Sequence, residues 1–166
     1  MDLKKIRYLF GGDLLRQGIA TSMGVEALQI PMFGLYGACS TSGEALALAS
    51  MSAAAGYGGT MIAVTSSHFG SAEKEFRFPL GYANQRPLSS HWTVTGSGAF
   101  LVQSAEEYRK QNTKSYFSNI RITGVTVGKI VDYGLKDSQN MGACMAPAAM
   151  DTIVQNFQDM ERNCLL

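Results

Sequence analysis

Apolar residues come in short blocks along the chain, separated by glycine and polar turns. Ile6 to Leu9, followed by Phe10-Gly11-Gly12-Asp13, reads as a short buried strand closed by a turn. Leu14, Leu15, Ile19, Met23 and Ala27 then recur at helical spacing and predict a helix over Leu14 to Leu28, weakened by Gly18 and Gly24. Pro31 opens a second short strand, Met32 to Tyr36. Ser40, Thr41 and Ser42 follow as helix-capping residues, and Glu44 stands in the first turn of a helix reaching about Ala55. That helix is almost all Ala, Leu, Met and Ser. With no charged face, it is expected to be buried on nearly all sides. Gly56, Gly58 and Gly59 end it, and the β-branched run Thr60 to Thr65 is a third buried strand.

Strand, helix, strand, helix, strand with short links is the pattern of a parallel sheet with helices on its faces. Residues 66–93 break the pattern as an irregular excursion. They mix Glu73, Lys74, Glu75, Arg77 and Arg86 with aromatics, Pro79 and Pro87. Long irregular insertions in compact domains often carry function. Ser97 to Val102 reads as a fourth strand, 106–117 as a polar loop, and the alternating run Ile120 to Val127 as a fifth strand. Pro147 is expected to begin a last helix to about Met160, its apolar face marked by Ile153, Phe157 and Met160.

Composition mainly excludes. The 166 residues are enough for one domain or a piece of a larger one. At 46% hydrophobic and 16% charged, the chain is no disordered segment. A net charge of +1 leaves no basic excess for a phosphate backbone, so no nucleic-acid partner is expected. Cys39, Cys144 and Cys164 are widely spaced, without a CxxC pair or Cys/His cluster; neither a metal site nor a disulfide framework is expected. The first residues are too charged, and the apolar run behind them too short, for a signal peptide. Ala45 to Gly59 falls short of the roughly 18 apolar residues of a membrane span. The chain reads as soluble and intracellular.

Chemistry centres first on Cys39, between a strand and a helix. A thiol at a helix N-terminus meets free N–H groups and the positive end of the helix dipole, which favour thiolate and can hold an oxyanion or carboxylate. A small buried hydrophobe is the commoner use of a lone cysteine, and both readings stay open here. Cys144 sits in a Gly/Ala/Met loop by this reading, and Cys164 at the tail. The histidines, His68 and His91, both fall in the excursion, are not set relative to Cys39 by spacing, and read better as loop residues bonded to backbone than as its base. Gly96-Ser97-Gly98 lacks the spacing of a nucleophile elbow and reads as a tight turn.

Tyr36-Gly37-Ala38-Cys39-Ser40-Thr41-Ser42 before an Ala-rich helix resembles the nucleophile region of the thiolase-like superfamily. Thr65-Ser66-Ser67-His68 and Thr93-Val94-Thr95-Gly96-Ser97-Gly98-Ala99 keep the order of that fold. With Gly12-Asp13-Leu14-Leu15, Phe76-Arg77-Phe78-Pro79, Gly128-Lys129-Ile130-Val131-Asp132 and Met145-Ala146-Pro147-Ala148-Ala149, they resemble the stage V sporulation protein AD family of endospore formers. The resemblance runs from about Ile6 to Met160.

It implies a thiolase-like α/β fold, a layered sheet with helices on both faces. It also implies a non-enzymatic protein, without cofactor, that binds dipicolinic acid and serves its uptake into the developing spore. Other proteins of the same operon, several of them membrane proteins, would be its partners. Its place would be peripheral to the spore inner membrane. In that fold the first strand and helix would precede Met1 and the second half would follow Leu166, so 1–166 reads as a partial N-terminal domain. The condensing-enzyme partners of the cysteine come from that second half; His68 and His91 are no substitutes. A missing first strand would leave unpaired backbone groups on its neighbours, and the Glu44 helix would lose cover, so the chain alone is expected to be marginal or oligomeric.

A rigid aromatic dianion wants guanidinium groups, N–H donors and an apolar slot. Cys39, Ser40 and Thr41 at the helix start, with His68, Arg77 and Arg86 from the excursion, are the candidate ligand residues. Arg77 and Arg86 fit equally as members of a solvated loop paired with Glu73 and Glu75. Two other functions compete: a condensing enzyme transferring acyl groups through Cys39, and a scaffold that docks other sporulation proteins through its apolar face.

Overall fold

A computed structural model describes residues 2–14, 18–70, 72, 93–111, 120–137 and 140–160. The chain divides into two compact units, Met1–Ser118 and Asn119–Leu166. The first unit is an α/β layer structure. Its strands are β1 (Tyr8–Asp13), β2 (Met32–Gly34), β3 (Thr60–Ser67) and β4 (Gly96–Gln103). Its helices are α1 (Ile19–Val25), α2 (Thr41–Ala54) and α3 (Ala105–Gln111). The sheet order is β2-β1-β3-β4. β1 runs parallel to β2 and to β3, and β4 runs antiparallel to β3.

Strand alternation sends the two sets of side chains to opposite layers. Tyr8 and Phe10 of β1, with Met61 and Ala63 of β3, pack with Ala45, Ala49 and Ala53 of α2. On the other face, Leu9, Ile62 and Val64 pack with Ile6, Val25, Leu28 and Ile30, around α1 and the turn after it. Helices therefore cover both faces, as expected. Gly12 allows the closest approach: a Cβ there would stand 2.1 Å from the Leu35 carbonyl oxygen and 3.2 Å from Thr41 Cγ2. Only a residue without a side chain lets the end of β1 pass under the start of α2.

Several expectations need correcting. Among the described residues no gap opens inside the sheet. β1 pairs directly with β3 from Tyr8↔Met61 to Asp13↔Ser66, and the Arg7 N–H donates to the Thr60 carbonyl at 2.9 Å. The two strands alternate in step, so this pairing places apolar side chains on matching faces and satisfies the backbone together. α2 is not buried on nearly all sides. Its buried residues are Thr41, Ala45, Ala49 and Ala53, one stripe at helical spacing, while Met51 is 49% exposed. Small side chains on that stripe let the helix settle on the sheet along one line of contact.

α1 is shorter than the run Leu14 to Leu28. It starts after Gly18, which has φ +78°, and gives way to a 3-10 turn at Glu26–Leu28. Gly96-Ser97-Gly98 is not a turn; it begins β4, opposite Ser67, Ser66 and Thr65. The segment read as a polar loop over 106–117 begins instead as helix α3. The Ser104 hydroxyl caps it by accepting from the Glu107 N–H at 3.2 Å, and Glu106 pairs with Lys110 at 2.7 Å. Charge drops out of hydrophobic periodicity, so this helix left no apolar signature.

The second unit holds α4 (Met141–Asp159). It starts before Pro147, not at it, because Asn140 caps it by accepting from the Ala143 N–H at 3.1 Å. Pro147 is thus inside the helix, where it removes a backbone donor. The expected fifth strand, Ile120 to Val127, has no ladder partner among the described residues. It lies along α4 instead. Thr126 donates to Asp159 at 3.0 Å and accepts from Asn156 at 3.1 Å, and Lys129 pairs with Asp151 at 2.9 Å.

Candidate functional site

The carboxyl ends of the three parallel strands form one edge of the sheet, and the link after each strand starts there. In open parallel sheets this edge is where ligands bind. Asp13 ends β1, Leu35 to Cys39 follow β2, and Ser66 and Ser67 end β3 just before His68. Four of the six candidate ligand residues, Cys39, Ser40, Thr41 and His68, therefore gather on this edge. Arg77 and Arg86 lie outside the described residues, as do His91 and Cys164.

The link from β2 to α2 is built tightly. The Leu35 N–H donates to the Gly11 carbonyl at 2.9 Å, which holds the chain against β1. A 3-10 turn at Ala38–Ser40 then swings it into α2. Ala38 carries φ +48°, in the left-handed region where a Cβ is strained. A Cβ on Gly37 would meet the Ser40 hydroxyl at 2.6 Å and the Glu44 carboxylate at 2.8 Å. The turn thus has no room for a side chain at Gly37, and it holds Cys39 outward. Cys39 is exposed, which removes the reading of it as a buried hydrophobe.

The donors at the helix start are fewer than expected. The Ser40 N–H and hydroxyl both turn back to the Gly37 carbonyl, at 2.9 and 2.7 Å, and the Thr41 N–H donates to Ala38. Closing the 3-10 turn uses these groups, so Ser40 does not cap α2. Thr41 is 2% exposed, and its hydroxyl is without a hydrogen-bond partner among the described residues. His68 is exposed beyond the end of β3, and its carbonyl accepts from the Ala72 N–H at 3.0 Å. Cys144 is exposed within α4, not in a loop.

Asp13 is the anchor of this edge; it belongs to the Gly12-Asp13-Leu14-Leu15 motif but is not among the candidate ligand residues. It is 7% exposed. Its carboxylate accepts from the Ala20 N–H and the Thr21 N–H at 2.8 Å each, from Ser66 Oγ at 2.8 Å, and from the Thr21 hydroxyl. Burial pushes this carboxyl up, but the hydroxyls of Thr21 and Ser66 and the two backbone donors outweigh it and hold it below the ordinary value. One side chain thereby ties β1, β3 and the start of α1 together. The legible signal was an acidic residue closing an apolar strand, with Thr and Ser at the next strand-helix junctions.

Among the described residues, no group of three or more His, Cys, Asp or Glu side chains is placed to hold a metal ion. No described helix is long and apolar enough to cross a membrane.

The family model for stage V sporulation protein AD matches residues 1–165. Stage V sporulation protein AD of Bacillus subtilis (strain 168) is 41% identical over 157 residues. That match covers 95% of this chain and 43% of the relative, so the chain spans less than half the length of the relative it matches.

Proposed function

The chain belongs to the stage V sporulation protein AD family, and from that premise we propose that it is a non-enzymatic, dipicolinic acid-binding component of the spore's dipicolinate uptake machinery. A role in stage V of sporulation follows from membership; the ligand and the transport step are the proposal. The observation that carries it is the exposed Cys39 turn at the carboxyl edge, with the family's motifs in order on both sides of it. Ala38 in a strained conformation and the excluded side chain at Gly37 mark a turn whose shape is kept at a cost. In this reading Cys39, Ser40, Thr41 and His68 border the ligand, and Arg77 and Arg86 supply guanidinium groups to its carboxylates. The protein works with other products of the same operon, membrane proteins among them, peripheral to the spore inner membrane, and associates with itself through apolar surface.

The test is a calorimetric titration of the chain with dipicolinate, on material shown by size exclusion to be unaggregated. Saturable binding that weakens in Arg77→Ala and Cys39→Ser supports the reading. A folded chain that binds no dipicolinate, even with the part of the Bacillus subtilis relative that it does not span added in trans, overturns it. Acyl transfer to Cys39 from a coenzyme A thioester would favour the condensing-enzyme alternative, which the exposure of that thiol keeps open.

A further inference from the structure

The opposite edge of the sheet carries a different chemistry. Arg7 precedes β1, Pro31 precedes β2 and Gly59 precedes β3, and all three line one cavity of ≈ 480 Å³. The size suits a small organic ligand. Its walls are of two kinds. Leu28, Ile30 and Pro31 give an apolar side, and Lys4, Lys5 and Arg7 bring three cations.

Among the described residues, none of Lys4, Lys5 or Arg7 has an ion pair. Neighbouring Asp2 is engaged locally, accepting from the Lys4 N–H at 3.0 Å. Three like charges within four positions of a chain with net charge +1 repel one another, and an anion bound among them relieves that.

Arg7 is also placed rather than loose. Its guanidinium carbon lies 4.5 Å from the centroid of the Tyr8 ring. Its stem fills the space over Gly58, where a Cβ would come within 2.5 Å of Arg7 Cβ and 2.8 Å of Cγ. A guanidinium held by a ring and a glycine, with no carboxylate on it among the described residues, is preorganised for a planar or tetrahedral anion.

We propose that this amino-edge cavity is a second ligand site, separate from the Cys39 edge, for a compact dianion with an apolar body. The anionic end meets Arg7 with Lys4 and Lys5, and the body lies on Leu28, Ile30 and Pro31. Carboxylates and phosphates share the chemistry, so two probes separate them: dipicolinate and phenyl phosphate. The proposal does not depend on the dipicolinate reading above.

Amide proton–nitrogen spectra of the chain, recorded during titration with each probe, test it. Saturable shifts at Lys4 to Arg7 and at Gly58 and Gly59 are expected with at least one probe. Arg7→Gln should weaken that binding about tenfold or more, as loss of a bidentate pair does. Gly58→Ala should weaken it while leaving every charge in place, and Lys136→Gln should leave it unchanged. If Arg7→Gln fails to fold, the Lys4→Gln/Lys5→Gln double variant gives the same reading at exposed positions. Shifts by dipicolinate confined to Cys39 to Thr41, with none at the amino edge from phenyl phosphate, overturn this site and leave the earlier reading standing. No saturable amino-edge shift with either probe, or one unaffected by all these charge and glycine changes, also overturns it.

Discussion

Replacing Asp13 with Asn tests whether one buried carboxylate holds the carboxyl edge together. Asp13 accepts from two backbone N–H groups, Ala20 and Thr21, and from the hydroxyls of Thr21 and Ser66. Asn keeps one acceptor oxygen, which can serve the Thr21 N–H and the two hydroxyls, and turns an NH2 group toward the Ala20 N–H. The hydroxyls can rotate away; the two N–H groups cannot. One charge-assisted hydrogen bond, from the Ala20 N–H, is lost outright and the other three lose their charge, so at roughly 1.5–3 kcal/mol for a bond to a charged group Asp13→Asn should cost about 3 kcal/mol. That is a large share of a stability of about 5–15 kcal/mol but leaves a folded protein to measure. The pH dependence gives an independent check. The folded pKa is below the ordinary 3.8. The unfolded chain therefore takes up its proton first on acidification. The stabilisation from Asp13 is complete above the unfolded value and is lost as pH falls through the folded value. Urea unfolding followed by circular dichroism, at about pH 7 and in steps toward about pH 2, reads both effects. A variant within about 0.5 kcal/mol of the parent at neutral pH, with the same acid dependence, would refute the reasoning.

Other substitutions probe the turn and the helices. Gly12→Ala drives a Cβ into the Leu35 carbonyl and should destabilise by about 1–3 kcal/mol or more, seen as a lower melting midpoint; an unchanged midpoint would contradict the close approach of β1 and α2. Thr41→Val replaces a buried hydroxyl that lacks a partner with a methyl group of similar shape, so denaturant unfolding should show no loss or a gain of up to about 1–2 kcal/mol. A clear destabilisation would mean that the hydroxyl is satisfied. Pro147→Ala restores a backbone donor inside α4 and should raise helicity and stabilise its unit by about 1–3 kcal/mol, measured by far-ultraviolet circular dichroism during unfolding.

Local order along the chain was open to a reading from sequence, because it depends on spacing and on turn residues. The strands around Leu9, Phe33 and Ile62, the α2 region and the α/β layering all follow from apolar blocks punctuated by glycine. The turn at Cys39 was legible too, as a thiol between a strand and a helix. Partner choice was not, because it is decided by contacts between residues far apart in the chain. Only the folded sheet sets β1 directly against β3, and only it turns Ser40 and Thr41 inward on their own 3-10 turn. The alternating run at Ile120 to Val127 has strand periodicity, yet its Thr126 bonds to the side chains of Asn156 and Asp159 in α4. Asp13 shows the same limit most plainly. Its neighbours in sequence identify a strand end; its four donors come from positions seven, eight and fifty-three residues away, so its role exists only in the tertiary structure.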